Sequence, residues 1–246
     1  MKRNIYIISV ISVFIFALSF FSVCNAGEKA SYKINKSKIS EKTAEYTVDF
    51  SYPELTGLTD AKAQKYCNGV LKQYALKSIS DFKSEISKLK KEGFKPHGKY
   101  DIVMSYKGYG NTRLASFAFE GGQFLGGAHP VPLNATFAFD LKSYKTVSFS
   151  SLFNSGSDYL KKISAYCIAD LNKQDPSVAD FAKTGAAPDS KNFQWFYISS
   201  GHLVVIFPPS AAGPYSSGTR EVKISFDKLK KMGIVNNKGI LGDSVK

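Results

Sequence analysis

The 246-residue chain is short of histidine, arginine and cysteine, with three of each. His97, His129 and His202 lie far apart in sequence, whereas a zinc site needs three or four ligands backed by supporting partners. No metal and no other cofactor is expected. Beyond Arg3 the only arginines are Arg113 and Arg220, so the rigid forks that grip phosphate in a bidentate way are scarce. Ser216 and Ser217 sit near Gly213 and Gly218 without the Gly-x-Ser-x-Gly spacing of a strained nucleophile elbow. The glycines of residues 121–127 are followed by no Lys-Ser or Lys-Thr pair, and the next element reads as a strand, which excludes a phosphate loop. Paired carboxylates for glycoside cleavage are recognised by a separation in space, which a sequence cannot supply. No catalytic residue is therefore assigned. Internal repeats are absent, and 43% hydrophobic with 14% aromatic residues excludes a disordered or collagen-like chain.

The N-terminus is unlike the rest. Lys2 and Arg3 precede an uncharged stretch from Ile5 to Val23, and Cys24-Asn25-Ala26 follows before Gly27. That is a secretory leader pattern with cleavage after Ala26, and export to the periplasm or cell exterior is expected. Lipidation at Cys24 is disfavoured, because Val23 stands where a lipobox needs a small residue. Loss of Lys2 and Arg3 lowers the formal charge from +13 to +11, nearly all of it lysine. Such a charge suits diffuse attraction to an anionic surface. Outside the cytoplasm that means an envelope polymer, a lipid surface touched peripherally or a protein partner, and not nucleic acid. Lys88, Lys90, Lys91 and Lys95 are the densest lysine cluster.

From Ala44 to Tyr52 apolar and polar residues alternate strictly, predicting a half-buried strand that Pro53 ends. Tyr66, Val70, Tyr74, Phe82, Ile86 and Leu89 then recur at helical spacing up to Gly93, predicting one long helix. Residues 100–106 and 112–119 predict a hairpin around a glycine-bearing loop, 107–111. Strands are expected at 133–140, 146–149, 193–198, 203–207 and 221–226, and a second helix over 158–172. The fold class is α+β, a mainly antiparallel sheet with two principal helices packed on it. The expected organisation is a leader (1–26), an N-terminal part (27–120), a C-terminal part with the Gly-Gly-Ala-His-Pro segment (121–235) and a fraying tail (236–246).

Cys67 and Cys167 both fall in predicted helices, and an even count in an oxidising compartment predicts a bridge between them. Two separate buried thiols are the alternative. His129 lies between glycines and a proline, where its ring could face a ligand or hold the turn by a backbone hydrogen bond; the structural role is preferred. Tyr109 and Tyr215 are exposed-loop candidates for stacking on sugar rings, against a background of ordinary packing.

Gly126-Gly127-Ala128-His129-Pro130, then 136–141 (TFAFDL), 151–153 (SLF), 207–209 (FPP) and 212–218 (AGPYSSG) together carry a resemblance. The chain resembles the extracytoplasmic family of the RsiV C-terminal and PdaC N-terminal type over roughly residues 32–229. The resemblance implies an envelope-facing domain without a characterised catalytic activity, which in RsiV captures lysozyme as a signal. Sigma-factor inhibition is not expected here, because only Met1 to Asn4 precede the apolar run. No deacetylase domain follows, so a module standing alone is expected. Common lysozymes are basic, and a +11 partner repels them at long range. The reading is a secreted or periplasmic binding module for an envelope component or protein partner, with His129, Tyr109, Tyr215, Gly126 and Gly127 as candidate contacts. A cell-wall glycan-modifying enzyme and a nonselective structural envelope protein are the alternatives.

Overall fold

The computed structural model describes residues 32–236 and 239–244. The predicted leader, with Cys24 and the cleavage point after Ala26, lies outside the described residues. The chain forms two sheets. The first has six strands in sequence order: β1 (Lys33–Lys42), β2 (Tyr46–Thr56), β3 (Tyr100–Gly110), β4 (Leu114–Phe124), β5 (Val131–Asp140) and β6 (Lys145–Thr146). The second is an antiparallel meander of β7 (Phe196–Ser199), β8 (His202–Phe207) and β9 (Arg220–Ser225). Pairing is antiparallel except between β2 and β3, which are joined by the helix α1 (Ala61–Lys91), as a parallel crossover requires. The α+β class holds, with the expected single sheet divided in two.

β1 has no counterpart among the predicted strands. Ile34 and Ile39 are its only apolar residues and they fall on opposite faces, so no alternation announces it. Its ten residues all pair with β2, and its four lysines suit the sheet edge it occupies. Pro53 does not end β2. Pairing with β3 stops at Phe50, so from there one side of β2 needs no ladder donor and proline is tolerated. The helix serves that open side instead: the Asn68 amide accepts from the Leu55 N–H and donates to the Leu55 carbonyl, both at 2.8 Å.

α1 is unbroken for 31 residues and starts at Asp60, whose carboxylate accepts the Lys62 and Ala63 N–H groups. Its buried line is Ala63, Cys67, Leu71, Ala75, Ile79, Phe82 and Ile86. The small residues in this line let the helix lie close to the sheet, while Tyr74 packs edge-on against Phe119 and Phe137 from beside it.

β4 explains how the layers stack. Leu114 to Phe119 are all buried, because successive side chains point to opposite faces and both faces are covered. Ala115, Phe117 and Phe119 join the core under α1, and Ala118 meets Tyr197, Val204 and Ile206 of the second sheet. Ser116 accepts the Ile198 N–H at 2.9 Å. On β8, Leu203, Val205 and Phe207 face the other way, into a core shared with Ile163, Cys167 and Leu171 of α2 (Tyr159–Gln174). The order of layers is α1, first sheet, second sheet, α2.

That order overturns the predicted bridge. Cys67 and Cys167 are both free and buried, in separate cores with two sheets between them. Packed sheets alone stand about 10 Å apart, beyond the ~4.4–6.8 Å Cα separation a disulfide allows. Burial pushes the Cys67 thiol up to about 12 and the Cys167 thiol higher still.

The predicted boundary at 120/121 falls inside β4, and β4 and β5 serve both cores, with Leu114 and Ala138 in the α2 core and Phe117 and Phe139 in the α1 core. The short helices α3 (Ala179–Gly185) and α4 (Phe226–Lys231) complete the second part with α5 (Ile240–Ser244). Where fraying is predicted, Ile240 and Leu241 are buried in the α2 core.

Candidate binding face at the end of the long helix

α1 stops at a glycine closure. Gly93 takes a left-handed conformation, φ +76°, so that its N–H reaches the Lys90 carbonyl and the Phe94 N–H the Leu89 carbonyl. Lys88, Lys90 and Lys91 occupy the last turn, where the partial negative charge of the helix end favours cations. The chain then passes through Phe94, Lys95, Pro96, His97, Gly98 and Lys99, all exposed, into β3. Five lysines thus collect within twelve residues, and Glu92 is the one acid among them.

An open cleft of about 450 Å³ lies here, walled by Glu45, Lys90, Phe94, Lys95, Pro96, Lys99 and Tyr100. Lys90 bonds Glu45 at 2.7 Å. That hydrogen bond, then the Glu45 charge, raises the Lys90 ammonium above the usual lysine range, with a smaller contribution from the nearby Tyr100 phenol. The Lys99 ammonium donates to the Thr43 carbonyl. Among the described residues Lys95 has no ion pair, which leaves its charge available.

The β4–β5 connection docks against this loop. Gly126 is buried at φ +80°, and a methyl group there would lie 2.4 Å from Pro96 Cβ and 2.8 Å from Pro96 Cα. Its carbonyl accepts the His97 N–H at 3.1 Å. Gly127 faces open space. On the far side Tyr215, half exposed, donates its hydroxyl to the Pro130 carbonyl at 2.9 Å. Gly126 thus joins this connection to the lysine-bearing loop, while Tyr215 fastens its other end at Pro130.

Two expectations need correction. His129 is exposed and, among the described residues, forms no hydrogen bond to hold the turn; Gly126 and Tyr215 do that through backbone carbonyls. Tyr109 is not in a loop but in β3, paired with Ser116 and half-buried against the α2 core. The β4–β5 connection begins after Phe124, eight residues further along β4, so Tyr109 stands roughly 27 Å away at ~3.4 Å per residue. Glu45, Phe94, Lys99 and Tyr100 carry no motif of their own, and lysine density around position 90 is the one sequence signal that points to them.

Elsewhere polar groups serve the fold. Asp140 lies 3.6 Å from Arg113 and accepts the Lys142 N–H in the turn after β5. Lys107 bonds Glu221 at 2.9 Å, linking the two sheets. Arg220 pairs with Asp175 at 2.8 Å, and this bond, after that from the Ser177 hydroxyl, lowers the Asp175 carboxyl. Among the described residues no three His, Cys, Asp or Glu side chains are grouped to hold a metal ion.

Residues 39–132 match the family described as deacetylase PdaC, and residues 150–227 match a protein family of unknown function, DUF3298. The first match covers the α1 core and the cleft, the second most of the α2 core. Together the two matches make the chain similar to the PdaC and DUF3298 families, each over about a third of its length. It is 26% identical over 165 residues to the peptidoglycan-N-acetylmuramic acid deacetylase PdaC of Bacillus subtilis, an alignment spanning 66% of this chain and 35% of that protein. Two crystal structures share the fold. A DUF3298 family member from Bacteroides fragilis gives a TM-score of 0.60 at 16% identity, covering 88% of this chain and 99% of that one. A DUF3298 family protein from Pseudomonas aeruginosa gives 0.57 at 15% identity, covering 85% and 95%.

Proposed function

We propose that the protein is an exported, non-catalytic module that binds an anionic cell-envelope polymer through the basic end of α1. The observation that carries this reading is the convergence of Lys90, Lys95 and Lys99 on an open cleft, with Lys88 and Lys91 in the last helical turn behind it. It abuts the Gly-Gly-Ala-His-Pro connection, and Glu45 is the one acid in its wall. The named activity of the Bacillus subtilis relative supports peptidoglycan or an attached polymer as the target. A site built from lysines attracts such a polymer by charge, and pays little in geometry because each ammonium is a compact charge on a flexible stem. Such binding weakens with salt, as the screening length falls from about 10 Å at 0.1 M to about 3 Å at 1 M.

Co-sedimentation with purified cell wall tests this. Saturable retention at low salt that is lost near 1 M is the expected result, and no retention at low salt refutes it. The same relative motivates a second reading, a glycan-modifying enzyme. Acetate or new reducing ends released from cell-wall glycan by the purified protein would replace the binding role with that one.

A further inference from the structure

We infer that the cleft beside the α1 terminus is a built site for an anionic saccharide, a sugar ring bearing one carboxylate or phosphate. The inference rests on the binding role just proposed and names the group that the cleft takes. It starts from Tyr100, which is 2% exposed and whose hydroxyl is buried with no hydrogen-bond partner among the described residues. Buried polar groups are nearly always satisfied, so an orphan of this kind calls for a reason. Its ring belongs to the α1 core, while the residue also lines the cleft together with Lys90. An oxygen entering the cleft would give that hydroxyl the acceptor it lacks.

The other walls define the rest of the ligand. Lys90, Lys95 and Lys99 against Glu45 leave a surplus of positive charge, and no acid among the described residues holds Lys95. Hydrogen bonds from an ammonium or a phenol to an anionic oxygen are the strong kind. In the same lining Phe94, 39% exposed, and Pro96 present apolar surface of the sort on which the C–H face of a sugar ring packs. Gly98 adds no side chain to that wall. The carbonyls of Leu89 and Lys90, which would repel an anion at a helix terminus, are already occupied by the Phe94 and Gly93 N–H groups. A volume of about 450 Å³ falls within the ~300–1,000 Å³ range of small-molecule sites.

The test is an NMR titration of the protein with N-acetylmuramic acid, with neutral N-acetylglucosamine, and with N-acetylglucosamine 6-phosphate. The acidic sugars should bind at least tenfold more tightly than the neutral one, and whichever binds better identifies the anion as carboxylate or phosphate. Tyr100→Phe should weaken the acidic sugars about tenfold or more. Its melting temperature should not fall, because the hydroxyl has no partner to lose. Lys95→Gln should weaken them too, whereas Lys223→Gln, on β9, should not. Wild-type affinity in both Tyr100→Phe and Lys95→Gln would overturn the inference, as would equal binding of the neutral sugar. Cell-wall retention that is unaffected by Tyr100→Phe and Lys95→Gln would also count against the cleft while leaving the module's binding role intact. If wild-type protein were not retained at all, the role itself would fail.

Discussion

Gly126 and Gly127 are adjacent, equally simple in sequence, and should respond oppositely to alanine. Gly126 is left-handed at φ +80°, a conformation in which a Cβ costs about 1–2 kcal/mol. A methyl group there also meets Pro96 at 2.4 and 2.8 Å, and both contacts belong to a ring that cannot rotate away. Relieving such overpacking costs about 1–3 kcal/mol. Against this, alanine stiffens the unfolded chain, returning about 0.4–1 kcal/mol. Gly126→Ala should therefore lose roughly 1–4.6 kcal/mol. At Gly127 an added methyl group would meet nothing within 4 Å, and the backbone does not lie in the left-handed region, so Gly127→Ala should be neutral or slightly stabilising. Urea denaturation of both variants decides the matter, with an unchanged slope showing that the midpoint shift is one of stability. Equal losses, or a Gly126→Ala loss under about 0.5 kcal/mol, would refute the reasoning. Gly126→Ala should also weaken cell-wall retention, because Pro96 and Phe94 must shift with the loop.

Other outcomes follow from burial. Both Cys67 and Cys167 should resist alkylation in the native protein and label fully once it is unfolded, as mass spectrometry can read directly. The Cys67 thiol keeps its proton to about 12 in the folded state against 9.0 unperturbed. The folded protein therefore holds more protons than the unfolded one across that window, and stability should fall as pH rises through it, with a shallower fall in Cys67→Ala. Leu241→Ala should cost about 2–5 kcal/mol, since the side chain is fully buried in the α2 core. Tyr215→Phe should cost only about 0.5–1 kcal/mol, because the bond it removes to Pro130 is exposed.

What the sequence discloses and what it hides follow from the range of each interaction. Alternation over 44–52 and the hairpin of β3 and β4 are local patterns and are legible. So is α1, although Tyr66 and Tyr74, two of the residues that announce it, flank the true contact line, in which Ala63 and Ala75 count for as much as Leu71. β1 is invisible because a lysine-rich edge strand owes its existence to a partner and not to its own pattern. The burial of β4 on both faces is written in its run of apolar residues, yet the run does not say that a second sheet provides the cover. Parity of cysteine count misleads for the same reason, since two sheets come between residues that sequence alone leaves free to meet. At the site, the lysines and the Gly-Gly-Ala-His-Pro string are each legible, but their contact through Pro96 and Gly126 joins residues thirty positions apart.

The central claim is that the lysine end of α1 is the binding face, and one comparison tests it most directly. Lys88, Lys90, Lys91 and Lys95 are changed together to glutamine in one variant. A second variant changes four exposed lysines of the other part, Lys161, Lys173, Lys191 and Lys223. The two variants lose the same net charge, so both weaken diffuse attraction equally. In co-sedimentation with purified cell wall at about 0.1 M salt, the first should lose retention and the second should keep it. Equal retention by the two variants would contradict the account.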